Sequence, residues 1–126
     1  MLPRTIPIWH WTLWALFLGT LVLNVYRADT QSLTVDEAFT YNRFVSQPPY
    51  EALAHYDANN HVLNTLLSIL SVRLLGVSEL TLRLPSVFGG AVYLLAILWL
   101  SDWIFGAGLR TILSFAALSA NPIVLD

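Results

Sequence analysis

Asp36 and Glu37 stand side by side shortly after a long uncharged stretch, where a carboxylate at a membrane edge could take a proton from a hydroxyl or help hold a cation. The spacing Thr34-Val35-Asp36-Glu37 also matches a capping box, in which the Thr34 hydroxyl and the Glu37 carboxylate satisfy N–H groups at a helix start. Both readings can hold together. Glu37 then reaches back to cap, while Asp36, in the first helical turn, is kept ionised by the helix dipole and projects outward as a proton acceptor or metal ligand. A purely structural role for both acids is the alternative. His61 follows Asp57, Asn59 and Asn60, a polar cluster at the start of a Leu-rich segment, where free N–H groups would receive a phosphate or carboxylate. The plainer reading there is a cap from Asp57 or Asn59 and a histidine settled at an interface. Glu79 and Arg83 are four apart with the acid first, the favourable order for a helical ion pair of about 0.2–0.5 kcal/mol in water. They predict an architectural pair at the start of a second span. His10 and His55 have no convergent partner in the sequence.

The composition says what kind of elements carry these groups. Of 126 residues, 56% are hydrophobic and 11% charged, against about 25% charged in an ordinary soluble domain, so a water-soluble globule is not expected. A formal net charge of −2 without any run of like charges leaves no electrostatic footprint for nucleic acid, and no nucleic-acid partner is expected. Without cysteine there is no disulfide framework, thiolate nucleophile or Cys-ligated zinc, and any metal would need carboxylate or histidine ligands.

Residues 6–26 are 21 positions without a charge, close to the ~20 that cross ~30 Å of hydrocarbon as a helix. Trp9, Trp11, Trp14 and Tyr26 lie toward the ends, as in an interfacial aromatic belt. The run exceeds the roughly 7–15 residues of a signal-peptide core, and Asn24-Val25-Tyr26-Arg27 has no small-residue cleavage site, which predicts a retained anchor. Residues 84–105 form the second expected span, opened by Pro85 and interrupted only by Asp102, with Gly89-Gly90 allowing close helix approach. Residues 110–126 just reach the length of a third, with Pro122 as a kink.

The 14 positions 62–75 are short for a span, and His61, Asn64, Thr65, Ser68 and Ser71 share an arc of about 120°. This predicts an amphipathic interfacial helix over 61–75, with a short tilted span as the alternative. Pro48-Pro49 ends any helix coming from 38–45. The expected fold is therefore all-α and integral to the membrane: about three transmembrane helices, with the interfacial helix in a long external loop, 27–83. That loop holds six of the eight acidic residues. Placing it outside the cell inner or plasma membrane puts the N-terminus of this multi-pass chain in the cytoplasm. Arginine bias runs the other way, with Arg27, Arg43, Arg73 and Arg83 in the loop against Arg4 and Arg110, but the loop approaches the ~60 residues at which that rule loses force.

The chain resembles the N-terminal part of the GT-C membrane glycosyltransferases, in the branch related to protein mannosyltransferases and lipid A aminoarabinose transferases. The residues that carry the likeness are, in order, a span followed by Thr34-Val35-Asp36-Glu37-Ala38, then Asn59-Asn60-His61 before the short Leu-rich helix. Gly76-Val77-Ser78-Glu79-Leu80, Arg83-Leu84-Pro85-Ser86 leading into a Gly-Gly span, Phe105-Gly106 and Asn121-Pro122 follow. The resemblance implies transfer of a sugar from a polyprenyl-phosphate carrier to an acceptor hydroxyl on the extracytoplasmic side, with inversion. The catalytic role would fall on Asp36 and Glu37, with Arg43, Asn60 and His61 as substrate-binding residues; Arg43 and His61 would be nearest the departing phosphate. The partners implied are membrane lipid and the polyprenyl-phosphate-linked sugar, and a divalent metal ion on Asp36 is conceivable only with further oxygen ligands. Members of the family usually run to several hundred residues, so the sequence is expected to be an N-terminal fragment without turnover of its own. The competing expectation is a small non-catalytic membrane subunit or assembly factor, in which Asp36, Glu79 and Arg83 only cap and pair.

Overall fold

A computed structural model describes residues 8–120, apart from Tyr56, Asn59 and Ala107. Among them there is no strand and there are six α-helices: α1 (Ile8–Thr30), α2 (Val35–Thr40), α3 (Pro49–Ala54), α4 (Val62–Leu75), α5 (Glu79–Phe105) and α6 (Leu109–Ser119). Helix α2 continues directly into a π-helical turn, Tyr41–Val45. Two helices, α1 and α5, are long and apolar enough to cross a membrane, and only 11% and 17% of their most apolar stretches is buried inside the protein. The core helix of a water-soluble globule would instead be covered on most sides.

The bounds differ from the sequence expectation in instructive ways. Helix α1 runs on to Thr30 rather than ending at 26; residues 6 and 7 lie outside the described residues. Helix α5 starts at Glu79, not 84, so Pro85 stands inside it rather than opening it. The reason is a reciprocal cap: Ser78 Oγ accepts from the Thr81 N–H at 3.1 Å, and Thr81 Oγ1 accepts from the Ser78 N–H at 2.9 Å. Helix α6 covers 11 residues, Leu109–Ser119; the remainder of the expected third span, 121–126, lies outside the described residues. A side chain at Gly89 or Gly90 would meet nothing within 4 Å, so the pair mediates no close helix approach among the described residues.

The chain divides into two compact units. One takes in the described residues up to Asn24 and from Gly89 onward. Its core is Leu13 and Phe17 from α1, Leu94 and Ile97 from α5, and Phe115 from α6, flanked by Leu21, Leu98 and Ile112. Each contribution is a single stripe at helical spacing, and Trp14 meets Phe17 edge-on at 5.5 Å. Small polar residues are buried as well: Ser101, Thr111 and Ser119, with Ser101 and Ser114 hydroxyls 3.1 Å apart. Large apolar side chains such as Trp99, Trp103 and Leu113 are exposed.

The other unit, Val25–Phe88, has its own core of Phe44, Val45, Ala52 and Ile69, with Tyr41, Leu66, Val72 and Leu82 packed against it. Pro48-Pro49 works as expected at this point: the π-helical turn has ended by Ser46, and Pro49 is the first residue of α3, where its missing N–H costs no helical bond. Helix α4 occupies the segment the sequence marked out. Its polar arc faces the protein, since Thr65 and Ser68 are buried, while Leu63, Leu67, Leu70 and Leu74 are exposed. Gly76 closes α4 at φ 87°, a backbone conformation that side chains disfavour, and lets the chain reverse into the Ser78 cap of α5.

Candidate functional site

The site is built within the Val25–Phe88 unit and starts from Thr34. Its hydroxyl accepts from the Glu37 N–H at 3.3 Å, and Glu37 Oε2 accepts from the Thr34 N–H at 2.8 Å, so the capping box expected from the spacing is present. Glu37 does more than cap. Arg83 donates from Nε to Glu37 Oε1 and from Nη2 to Glu37 Oε2, each at 2.7 Å, the two-pronged geometry that suits a guanidinium to a carboxylate.

The rest of the Arg83 fork binds backbone at the end of α1: Nη1 donates to the carbonyls of Ala28 (3.2 Å) and Gln31 (2.7 Å), and Nη2 to that of Ser32 (3.0 Å). Five N–H groups thus have five acceptors. The clamp ties the chain leaving α1, the start of α2 and the first turns of α5 to one side chain, which is only 13% exposed. The Arg83 hydrogen bonds hold the Glu37 carboxyl well below its ordinary range, at about 2, with the Thr34 backbone adding to the effect against a desolvation that opposes it. The expected pairing of Arg83 with Glu79 on its own helix is therefore corrected: the carboxylate it holds is 46 residues away in sequence.

Beside the clamp lies a cavity of about 220 Å³. Helix α2 and its π-helical extension line it with Asp36, Glu37, Thr40 and Tyr41; α4 and its cap contribute His61, Asn64, Thr65 and Ser68; α5 contributes Arg83 and Ser86. A π-helical turn lies in this wall, and such turns recur at functional sites. Asn64 accepts from Ser86 Oγ at 3.3 Å, and Ser68 donates to the Leu82 carbonyl at 2.9 Å. Thr65 Oγ1 is buried with no hydrogen-bond partner.

The structure brings Asp36, Glu37 and His61 to one cavity and leaves Arg43 and Asn60 outside its lining. His61 caps α4 through its backbone only; its side chain makes no capping bond. Arg43 stacks over Phe44 at 5.6 Å and lies 3.8 Å from Glu51, which also holds His55 at 3.0 Å. Asn60 is drawn into the loop framework, donating from Nδ2 to the carbonyls of Ala52 (2.7 Å) and His55 (3.1 Å). Asn59, expected as an alternative cap, lies outside the described residues. Among the described residues no three acidic or histidine side chains gather as a metal site. Both Glu37 oxygens are already bound by Arg83, so the described donors around Asp36 do not fit the six or more oxygens that a hard cation such as calcium takes.

Among the lining residues that the sequence did not single out as functional are Thr40, Tyr41, Asn64, Thr65, Ser68, Arg83 and Ser86. The polar arc of α4 was a signal for three of them, Asn64, Thr65 and Ser68. For Arg83 the signal was a cation at the head of an apolar run, where partners are expected by default. Comparison of the chain with protein-family models, with curated proteins and with solved structures finds no match to any of them.

Proposed function

We propose that the chain is part of a membrane glycosyltransferase of the GT-C type, which moves a sugar from a polyprenyl-phosphate donor to an acceptor hydroxyl at the extracytoplasmic face, with Asp36 as the proton acceptor. The observation that carries the reading is the division of labour between neighbouring carboxylates. Glu37 is locked in the Arg83 clamp, while Asp36, exposed and one residue before it, lines the cavity. In the reaction the acceptor oxygen forms a bond to the anomeric carbon as the bond from that carbon to the phosphate oxygen breaks. The electron pair leaves with the lipid phosphate, and the hydroxyl proton passes to the Asp36 carboxylate. Glu37 and Arg83 are positioning residues in this scheme, because they fix the start of α2.

The membrane setting belongs to the same proposal. Helices α1 and α5 span, α6 belongs to a third crossing, and α4 lies at the bilayer surface with Leu63, Leu67, Leu70 and Leu74 toward lipid. Burial of Ser and Thr beneath exposed leucines supports it, since helix contacts in lipid favour small and weakly polar residues. A second reading, a non-catalytic membrane subunit, draws on the same clamp, which is complete as architecture without any substrate. Asp36→Asn separates the two. In membranes carrying the protein and supplied with polyprenyl-phosphate-linked sugars, the proposal expects transfer to fall by at least about 100-fold; undiminished transfer, or partner assembly as its sole defect, would establish the second reading.

A further inference from the structure

We propose that Arg73 makes the exposed face of α4 a binding surface for anionic phospholipid, its guanidinium holding a headgroup phosphate while the leucines beside it enter the upper acyl layer. The proposal rests on the membrane reading above, in which α4 lies at the bilayer surface.

Arg73 stands apart from the other arginines of the Val25–Phe88 unit. Arg83 is committed to its clamp, Arg43 lies over Phe44 and beside Glu51, and Arg27 has an interaction as well. Arg73 is exposed and, among the described residues, makes no ion pair and no side-chain hydrogen bond. A cation in the last turn of a helix complements the helix dipole, but this leaves the directed donors of the guanidinium open. Helix α4 itself contains no acidic residue to meet them.

Position decides what fills them. At about 100° per residue the exposed Leu63, Leu67, Leu70 and Leu74 share an arc of about 60°, and Arg73 stands about 60° beyond Leu70. None of the five lines the cavity. Leu75 ends α4 and Glu79 begins α5, four positions on along the chain, a reach of at most about 14 Å. Helix α5 is long and apolar enough to cross a membrane, and the Arg83 clamp joins its first turns to the end of α1, the other such helix. In the membrane reading, the last turn of α4 is therefore held at the bilayer rim. There an arginine on the flank of an apolar stripe lays its stem along that stripe and turns its head toward the phosphates, which a guanidinium takes through two parallel N–H donors. A phospholipid supplies acyl chain and phosphate in one molecule, matching the leucines and the cation together. An anionic headgroup adds the net charge that a zwitterionic one lacks.

The chain has no cysteine, so Leu70→Cys gives a single site for a fluorophore one helical turn from Arg73. The test places the labelled full chain in nanodiscs of equal parts phosphatidylglycerol and phosphatidylcholine, with a nitroxide near the top of the acyl chain on one lipid and then on the other. The proposal expects quenching by both, stronger from phosphatidylglycerol by at least about twofold and at most about fivefold, the preference that one arginine gives near a charged surface. Adding Arg73→Gln should bring the two lipids to parity. Both positions are exposed, so the parent fold is expected in each variant. Equal quenching in the parent, or a preference that survives Arg73→Gln, would overturn the proposal and leave α4 at the bilayer. Quenching by neither lipid would overturn the placement of α4 and the proposal with it, as a protein-covered face requires. No sugar transfer enters the measurement, so the Asp36→Asn assay stands or falls separately.

Discussion

Around Phe115 and Leu94 the polypeptide is held by apolar stripes from three helices, whereas around Arg83 it is held by one guanidinium that binds a carboxylate and three backbone carbonyls. The first arrangement is tolerant in kind, because dispersion contacts are non-directional and any side chain of similar volume can replace another. The second is not, because five directed donors need five placed acceptors. Directed geometry is what a reacting group requires, and it is the Arg83 unit that holds the cavity and the Asp36-Glu37 pair. The contrast teaches where position is held to within a hydrogen bond and where it is held only to within a side-chain volume.

The largest effect should come from Arg83→Met, which strands the Glu37 carboxylate and frees three carbonyls. Breaking a largely buried ion pair costs about 3–5 kcal/mol, and the partial exposure of Glu37 places this one near the low end, at about 3. Arg83→Lys should recover little of it, since an ammonium cannot reproduce the fork. Thermal unfolding in micelles checks both, and a lysine variant as stable as the parent would break the comparison. Phe115→Ala should cost a similar or slightly smaller amount, about 3 kcal/mol from contact loss and cavity formation. It should leave the acid titration of the Arg83 unit unchanged.

That titration sharpens the contrast with a smaller effect. Glu37 is held at about 2 in the folded chain against an ordinary value of 4.5. Its stabilising contribution is therefore fully present above about 4.5 and is lost as the pH falls through the folded value near 2. The stability difference between the parent and Glu37→Gln should be constant above pH 5 and shrink across that acid window. A difference that does not change with pH would place the clamp's contribution elsewhere than in the charge.

Much of the local structure could be read directly from spacing. The Thr34–Glu37 box, the Pro48-Pro49 break and the bounds of α4 all depend on neighbours within four residues, and each is present. The polar arc of α4 was visible too, though not its direction: periodicity identifies a face but not what covers it, and here the polar face is turned to the protein. Arg83 was read against Glu79 because a sequence displays only partners at helical spacing, while the true partner sits across a loop. Pro85 suggested a helix start at 84 that the Ser78–Thr81 cap moves five positions earlier, to Glu79. Asn60 and Arg43 looked available for a ligand because loop polar groups give no sign of which carbonyls or acids will close on them.

The central claim is that adjacent carboxylates have separate duties, Glu37 in architecture and Asp36 in chemistry. Sugar transfer and melting temperature measured together on Asp36→Asn test it most directly. The account predicts a melting temperature only a few degrees below the parent at most, as for an exposed acid in a first helical turn, with transfer reduced at least about 100-fold. Parental transfer by a stably folded Asp36→Asn protein would contradict it.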